Sequence, residues 1–242
     1  MQTNHSIHTM KSLSIILAAA VLAVLGAQNA YAQSYASLGA DPDDYPSFRI
    51  GLNAGWGYRT GQINPNLSPE QTEHVRKLKS GFVLGADATW FFLKDMGFGA
   101  TFHQFNSAHN TARDSHSDAG TLDITEEIQM NYIAPQLSSR YMFGRGSLLL
   151  DISAGYLSYR DYYYMGYEYR VNGHTMGYGA NVGFDFALTR KLAIGASFDA
   201  VTGVLKKYRI KAHGKAYDEE LDKDHYESLN HFTVTAGLRL TL

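Results

Sequence analysis

From Phe48 to Leu242 the sequence is written in twos. In FRIGLNAGWGY, Phe48, Ile50, Leu52, Ala54, Trp56 and Tyr58 share one parity, and Arg49, Gly51, Asn53, Gly55 and Gly57 share the other. A period of two marks a strand whose sides face different surroundings. The dyad returns in further segments beginning near residues 82, 98, 133, 148, 178, 192 and 232, so eight strands are expected. One phase break interrupts it. Ile128 and Met130 have the opposite parity from Ile133 and Pro135, which predicts a bulge near Asn131 or a stretch standing above the rest.

The connections alternate as strictly as the residues. Short turns at 93–96, 144–146 and 188–191 separate long stretches at 61–79, 107–125, 160–172 and 205–230. Short turns at one end and long loops at the other are the rhythm of an antiparallel up-and-down barrel that crosses a membrane, with short periplasmic turns and long outer loops. Within the first long stretch, Ser68-Pro69-Glu70-Gln71 offers an N-cap, a proline at the first helical position and a capping-box glutamine, which predicts a helical turn.

Which face meets lipid follows from the polar one. A soluble ligand-binding barrel would turn its polar face to water and carry many Lys, Glu and Gln there. Here that face is Gly, Ser, Thr, Asn and charges of both signs: Arg49, Arg140 and Arg239 against Asp87, Asp151, Asp185 and Asp199. Small residues suit a cramped lumen, and buried charges are tolerable when paired, so these seven residues are expected to form an interior Asp–Arg network that plugs the barrel. On the apolar face, aromatic residues gather near strand ends: Trp56, Tyr58, Trp90, Phe92, Tyr141, Phe143, Tyr156, Tyr178, Phe184, Phe186 and Phe232. They read as two interfacial girdles.

The ends fit this reading. Lys11, the apolar run from Leu13 to Ala27 and Ala30-Tyr31-Ala32 form a cleavable export signal over residues 1–32. Residues 33–47, with Asp41-Pro42-Asp43-Asp44, read as a flexible periplasmic leader before a barrel over 48–242. The chain has no cysteine and a formal charge of -2, which excludes thiol chemistry and disulfide scaffolds and gives no footprint for nucleic acid.

In its first strand, in YIAPQLSSRYMF and in the terminal TVTAGLRLTL, the chain resembles the small eight-stranded outer-membrane barrels of the OmpX and OmpA type. That resemblance implies an outer-membrane location in a Gram-negative-type cell, with membrane lipid and lipopolysaccharide as neighbours. The C-terminus looks like the signal read by the outer-membrane insertion machinery, carried by Thr235, Gly237, Leu240 and Leu242, with leucine where phenylalanine is commonest.

For function, a filled lumen argues against a wide pore. Some barrels of this size modify lipid A with a Ser and a His on the lipid-facing wall. The nearest stretch here, His103-Gln104-Phe105-Asn106-Ser107, has the wrong spacing and turns His103 inward, so no catalytic pair is expected. His109, His116, His174, His213 and His225 lack the spacing of a metal site, and no metal or cofactor is expected. The stretch SYRDYYYMGYEYR places Tyr159, Tyr162, Tyr163, Tyr164, Tyr167 and Tyr169 in a hairpin that projects outward, a candidate recognition surface for a protein partner. The stretch 206–227 is basic and then acidic. It reads as a solvated loop whose Lys206, Lys207, Arg209 and Lys211 are suited to lipopolysaccharide phosphates. These features point to a non-enzymatic barrel with a role in envelope integrity or surface interaction, with an adhesin and a lipid A-modifying enzyme as the competing readings.

Overall fold

The computed structural model describes residues 45–63, 67–114, 121–164, 168–212, 215–221 and 226–242. The export signal, most of the leader, Tyr167, His116, His213 and His225 lie outside them. In chain order the elements are β1 (Phe48–Arg59), α1 (Pro69–Leu78), β2 (Ser80–Phe91), β3 (Met96–Asp114), β4 (Thr121–Phe143), β5 (Gly146–Tyr164), β6 (Glu168–Ala187), β7 (Leu192–Leu205), β8 (Lys207–Ala212), β9 (Lys215–Glu220), β10 (Glu227–Ser228) and β11 (His231–Thr241).

β1 to β7 pair in sequence, each antiparallel to the next, and β11 joins β7 to β1, so eight strands close a barrel. Closure removes every free edge, which a strand structure in lipid requires. At the end of the short turns, Phe48 and Leu242 exchange backbone hydrogen bonds of 2.8 Å in both directions, pinning the first strand to the last. The turn between β4 and β5 is tight, and Gly144 takes a φ of 55°, in the left-handed region that a side chain disfavours.

The alternation holds in three dimensions. Phe48, Leu52, Phe82, Trp90, Ile133, Tyr178, Val234 and Leu238 are among a broad exposed apolar belt, whereas Arg49, Thr89, Gln136, Ser138, Asp185, Thr233 and Arg239 are buried within. Water would penalise so broad an apolar belt, which suits a lipid-facing surface.

The bulge expected near Asn131 is not there. β4 stays in one register with β3 from Ser139 opposite Met96 to Thr121 opposite Asp114, and with β5 on either side of Ala134-Pro135. What changes is the content of the lumen. Ile128, Met130, Tyr132 and Ala134 point inward as Gln136, Ser138 and Arg140 do, and all seven are buried. The apparent phase shift is the lumen passing from polar to apolar.

The outer connections are more ordered than loops. β3 with β4, and β5 with β6, continue as long hairpins, and the stretch expected to be a solvated loop folds into β8 and β9, laid along the outer part of β6 with Ile210 opposite Val171. Together they raise a sheet above one side of the barrel. Over the mouth lies α1. Ser68 caps it, its hydroxyl accepting from Gln71 N–H while the Gln71 side chain accepts from Ser68 N–H, and Leu78 enters the core.

Candidate functional site

Three places gather polar chemistry: the lower lumen, the outer mouth and the outer face of the raised sheet. The lower lumen is built from inward-facing residues of nearly every strand. Arg49 donates from Nε to Asp185 at 2.6 Å and pairs through Nη1 with Asp87, while Arg239 Nε reaches the other oxygen of Asp185 at 3.2 Å. Asp199 accepts from Asn181 at 2.6 Å and from Thr233 at 3.2 Å, and His103 Nε2 stands 3.7 Å from it. Asp151 lines the same space, accepts from Ser138 and forms no ion pair, with Arg49 lining the cavity beside it. Arg140 lies apart, at the end of the short turns. Its guanidinium stacks 3.7 Å from the Phe91 ring and donates to the carbonyls of Pro46 and Lys94 at 3.0 Å each, so it closes the mouth instead of joining the Asp pairs.

Above this network the lumen is oily. Val83, Phe105, Met130, Tyr132, Leu157, Val201, Leu205 and Leu229 pack together with Leu78 of α1. The sequence reading missed this second layer because its residues share parity with the polar ones below. The inward tyrosine Tyr132 joins the two layers, with its hydroxyl 2.9 Å from Ser153.

At the outer mouth, His74 of α1 meets Glu126 at 2.7 Å and its ring lies 5.0 Å from that of His109. Arg59 donates to Glu227 at 2.8 Å and sits 5.6 Å over the Tyr159 ring. Tyr159 donates to one oxygen of Asp161 at 3.2 Å, and the other oxygen is buried without a partner. Burial, and then the nearby charge of Glu126, push the Asp161 carboxyl up to about 7.

Of the tyrosines expected at the surface, Tyr159 is buried in the core and unavailable to a partner. Tyr162 carries Arg170 5.4 Å over its ring, Tyr169 meets Tyr217 hydroxyl to hydroxyl at 3.2 Å, and Tyr164 is 43% exposed near the tip. The alternation of β5, β6 and β8 puts Arg160, Arg170, His174, Lys207, Arg209 and Lys211 on the outer face, on neighbouring strands. Arg209 is held by both oxygens of Asp218, at 2.7 and 3.0 Å, and Arg170 by Glu168 at 3.0 Å. Glu220 stands opposite Lys207 on the same face, so bases and acids share it, and the stacking of His174 on Tyr156 at 5.6 Å marks where it begins, at the end of the aromatic belt.

The aromatic residues of the belt lie in two groups. Trp56, Tyr58 and Phe232 form one contact cluster near the outer rim, with Tyr156 and Tyr178 at the same level; Trp90, Phe92, Phe143, Phe184 and Phe186 ring the other end, with Tyr141 beside Phe143. In β11, Thr235 is buried inside and Leu240 and Leu242 face out, with Gly237 opposite Asn53 of β1. His103 and Ser107 both point into the barrel, where Ser107 donates to the Ser80 carbonyl at 2.7 Å, so neither stands on the lipid-facing wall.

The fold and its belt define a membrane-spanning, eight-stranded β-barrel with the architecture of the small outer-membrane barrels. No protein-family model and no curated protein matches the sequence. Solved structures do. A major outer membrane protein from Thermus thermophilus aligns at TM-score 0.50 and 10% identity, over 81% of this chain and 100% of the other. The outer membrane protease OmpT from Escherichia coli aligns at 0.48 and 10%, over 81% and 96%. Ail, the attachment invasion locus protein of Yersinia pestis, aligns at 0.45 and 14%, over 80% and 99%. At such identities the likeness concerns the fold.

Proposed function

We propose that the protein is an integral outer-membrane barrel that acts at its outer surface, strengthening the envelope by holding the phosphorylated saccharide of lipopolysaccharide against the basic face of its raised sheet. The observation that carries this is position. Arg160, His174, Lys207 and Lys211 share an outward face that starts at the aromatic belt, where lipid phosphates lie, and runs up the raised sheet, with Glu220 opposite Lys207. Arginine and lysine hold phosphate oxygens by charge-assisted hydrogen bonds, and a sheet fixes their spacing better than a loop. The filled lumen agrees with a role other than transport, and the inward turn of His103 and Ser107 with a non-enzymatic one.

Replacing Arg160, Lys207 and Lys211 together by serine tests it. The expected result is a several-fold fall in lipopolysaccharide retained through purification, greater in added salt, and increased uptake of a hydrophobic dye by intact cells. Unchanged retention and uptake would reject the reading. A second reading rests on the exposed tip, where Tyr164 and Tyr217 are 43% and 47% exposed: an adhesive edge for a host or matrix protein. Its signature is loss of whole-cell adhesion on trimming residues 158–170 with lipopolysaccharide retention intact. A changed lipid A acylation profile on gene deletion would instead favour the enzyme.

A further inference from the structure

The lower lumen holds more negative charge than its guanidiniums neutralise. Asp87, Asp151, Asp185 and Asp199 are set against Arg49 and Arg239 alone, because Arg140 is engaged at the mouth. Arg49 takes Asp87 and Asp185, and Arg239 shares Asp185. Asp199 is cradled by neutral donors. Asp151 makes no ion pair: Ser138 hydrogen-bonds to it and Arg49 acts on it only at longer range.

The same space contains the unmet polar atoms. Asn53 Oδ1, His103 Nδ1 and Asp151 Oδ1 are buried without a hydrogen-bond partner, and all three residues line one cavity of about 30 Å³. Asn53 is only 9% exposed and is fixed there by its own donation to Asp87 at 3.2 Å. The two side-chain oxygens are acceptors only, so they call for a proton donor or a cation. A cavity of that volume takes one or two water-sized species.

We propose that this cavity binds a small monovalent cation of the size of Na⁺, with Asp151 and Asn53 as oxygen ligands and water completing the shell. Hard cations select oxygen donors, and the surplus of carboxylate supplies the charge. The oily layer lies above the cavity and Arg140 lies towards the short turns below it, so the cation is a structural ion held deep in the lumen.

The test refolds the full chain into detergent micelles at mildly alkaline pH, in sodium chloride or in N-methylglucamine chloride of equal ionic strength. Sodium is expected to raise the unfolding midpoint by roughly 5 °C, saturably, and Asp151→Asn to abolish the rise. Equal midpoints in the two salts, or the same rise in the variant, would overturn the proposal. So would a midpoint set by pH alone, which would mean that a proton balances Asp151. Should Asp151→Asn fail to fold, the sodium content of the unaltered protein after desalting decides. About one ion per chain supports the site, and none refutes it.

Discussion

Asp185 shows how the lumen is assembled from single positions. Its two oxygens face two guanidiniums, and glycine makes the room: a Cβ on Gly195 would collide with the Asp185 carboxylate, and one on Gly51 with that of Asp87. The mixture of signs was legible in the sequence, because one parity carries both. The pairing was not: Arg140 has the same parity as the other arginines and yet serves the mouth, since a strand pattern gives the face but not the height at which a long side chain ends. Asp161 carries a prediction. Its carboxyl stands at about 7 in the folded protein, well above the roughly 3.9 of an unfolded chain. Between those values the folded state alone holds the proton, so stability from this group is full below about pH 4 and is lost as pH rises through 7. Asp161→Asn keeps the neutral form at every pH. The variant should melt several degrees above the parent near about pH 8, by a smaller margin near about pH 5, and together with it only below about pH 4; a constant difference across pH would show that Asp161 is not the titrating group.

Elements differ in how legible they are, for a physical reason. The helix was legible because capping is local chemistry: Ser68, Pro69 and Gln71 act on backbone groups within one turn. The β8–β9 hairpin was not, because the charge run from Lys206 onward masks its alternation. Tyr208 and Ile210 turn inward between Lys207, Arg209 and Lys211, and that dyad was the signal that would have found it. The parity break near Asn131 misled because burial in a barrel changes with height as well as with face. Ser68→Ala removes one hydrogen-bonded cap and should cost the helix about 1 kcal/mol, seen as roughly fivefold faster amide exchange over residues 70–72. The barrel's own heat resistance should be unchanged, since the cap touches no barrel strand; a fall in it would make α1 an integral part of the barrel.

The whole molecule is an inverted solution to burial, with its apolar side outward in lipid and its interior divided between an ion-paired layer and an oily one. Stability then rests on matching charges inside, where water does not rescue an orphan. Asp87 and Ala88 are adjacent in β2, one facing Arg49 in the lumen and the other facing out between Ile50 and Ala100. Leucine at position 87 strips Arg49 of one of two carboxylates, and breaking a buried pair typically costs about 3–5 kcal/mol. Leucine at position 88 adds an aliphatic group to the lipid side, where it is at home. The folded protein should therefore enter an SDS gel as a compact band that shifts only on heating, with Asp87→Leu lowering the temperature of the shift by roughly 10 °C and Ala88→Leu leaving it in place. Equal losses from the two would mean that the faces are reversed, and the cation site, which needs Asp151 and Asn53 to point into the lumen, would fall with them.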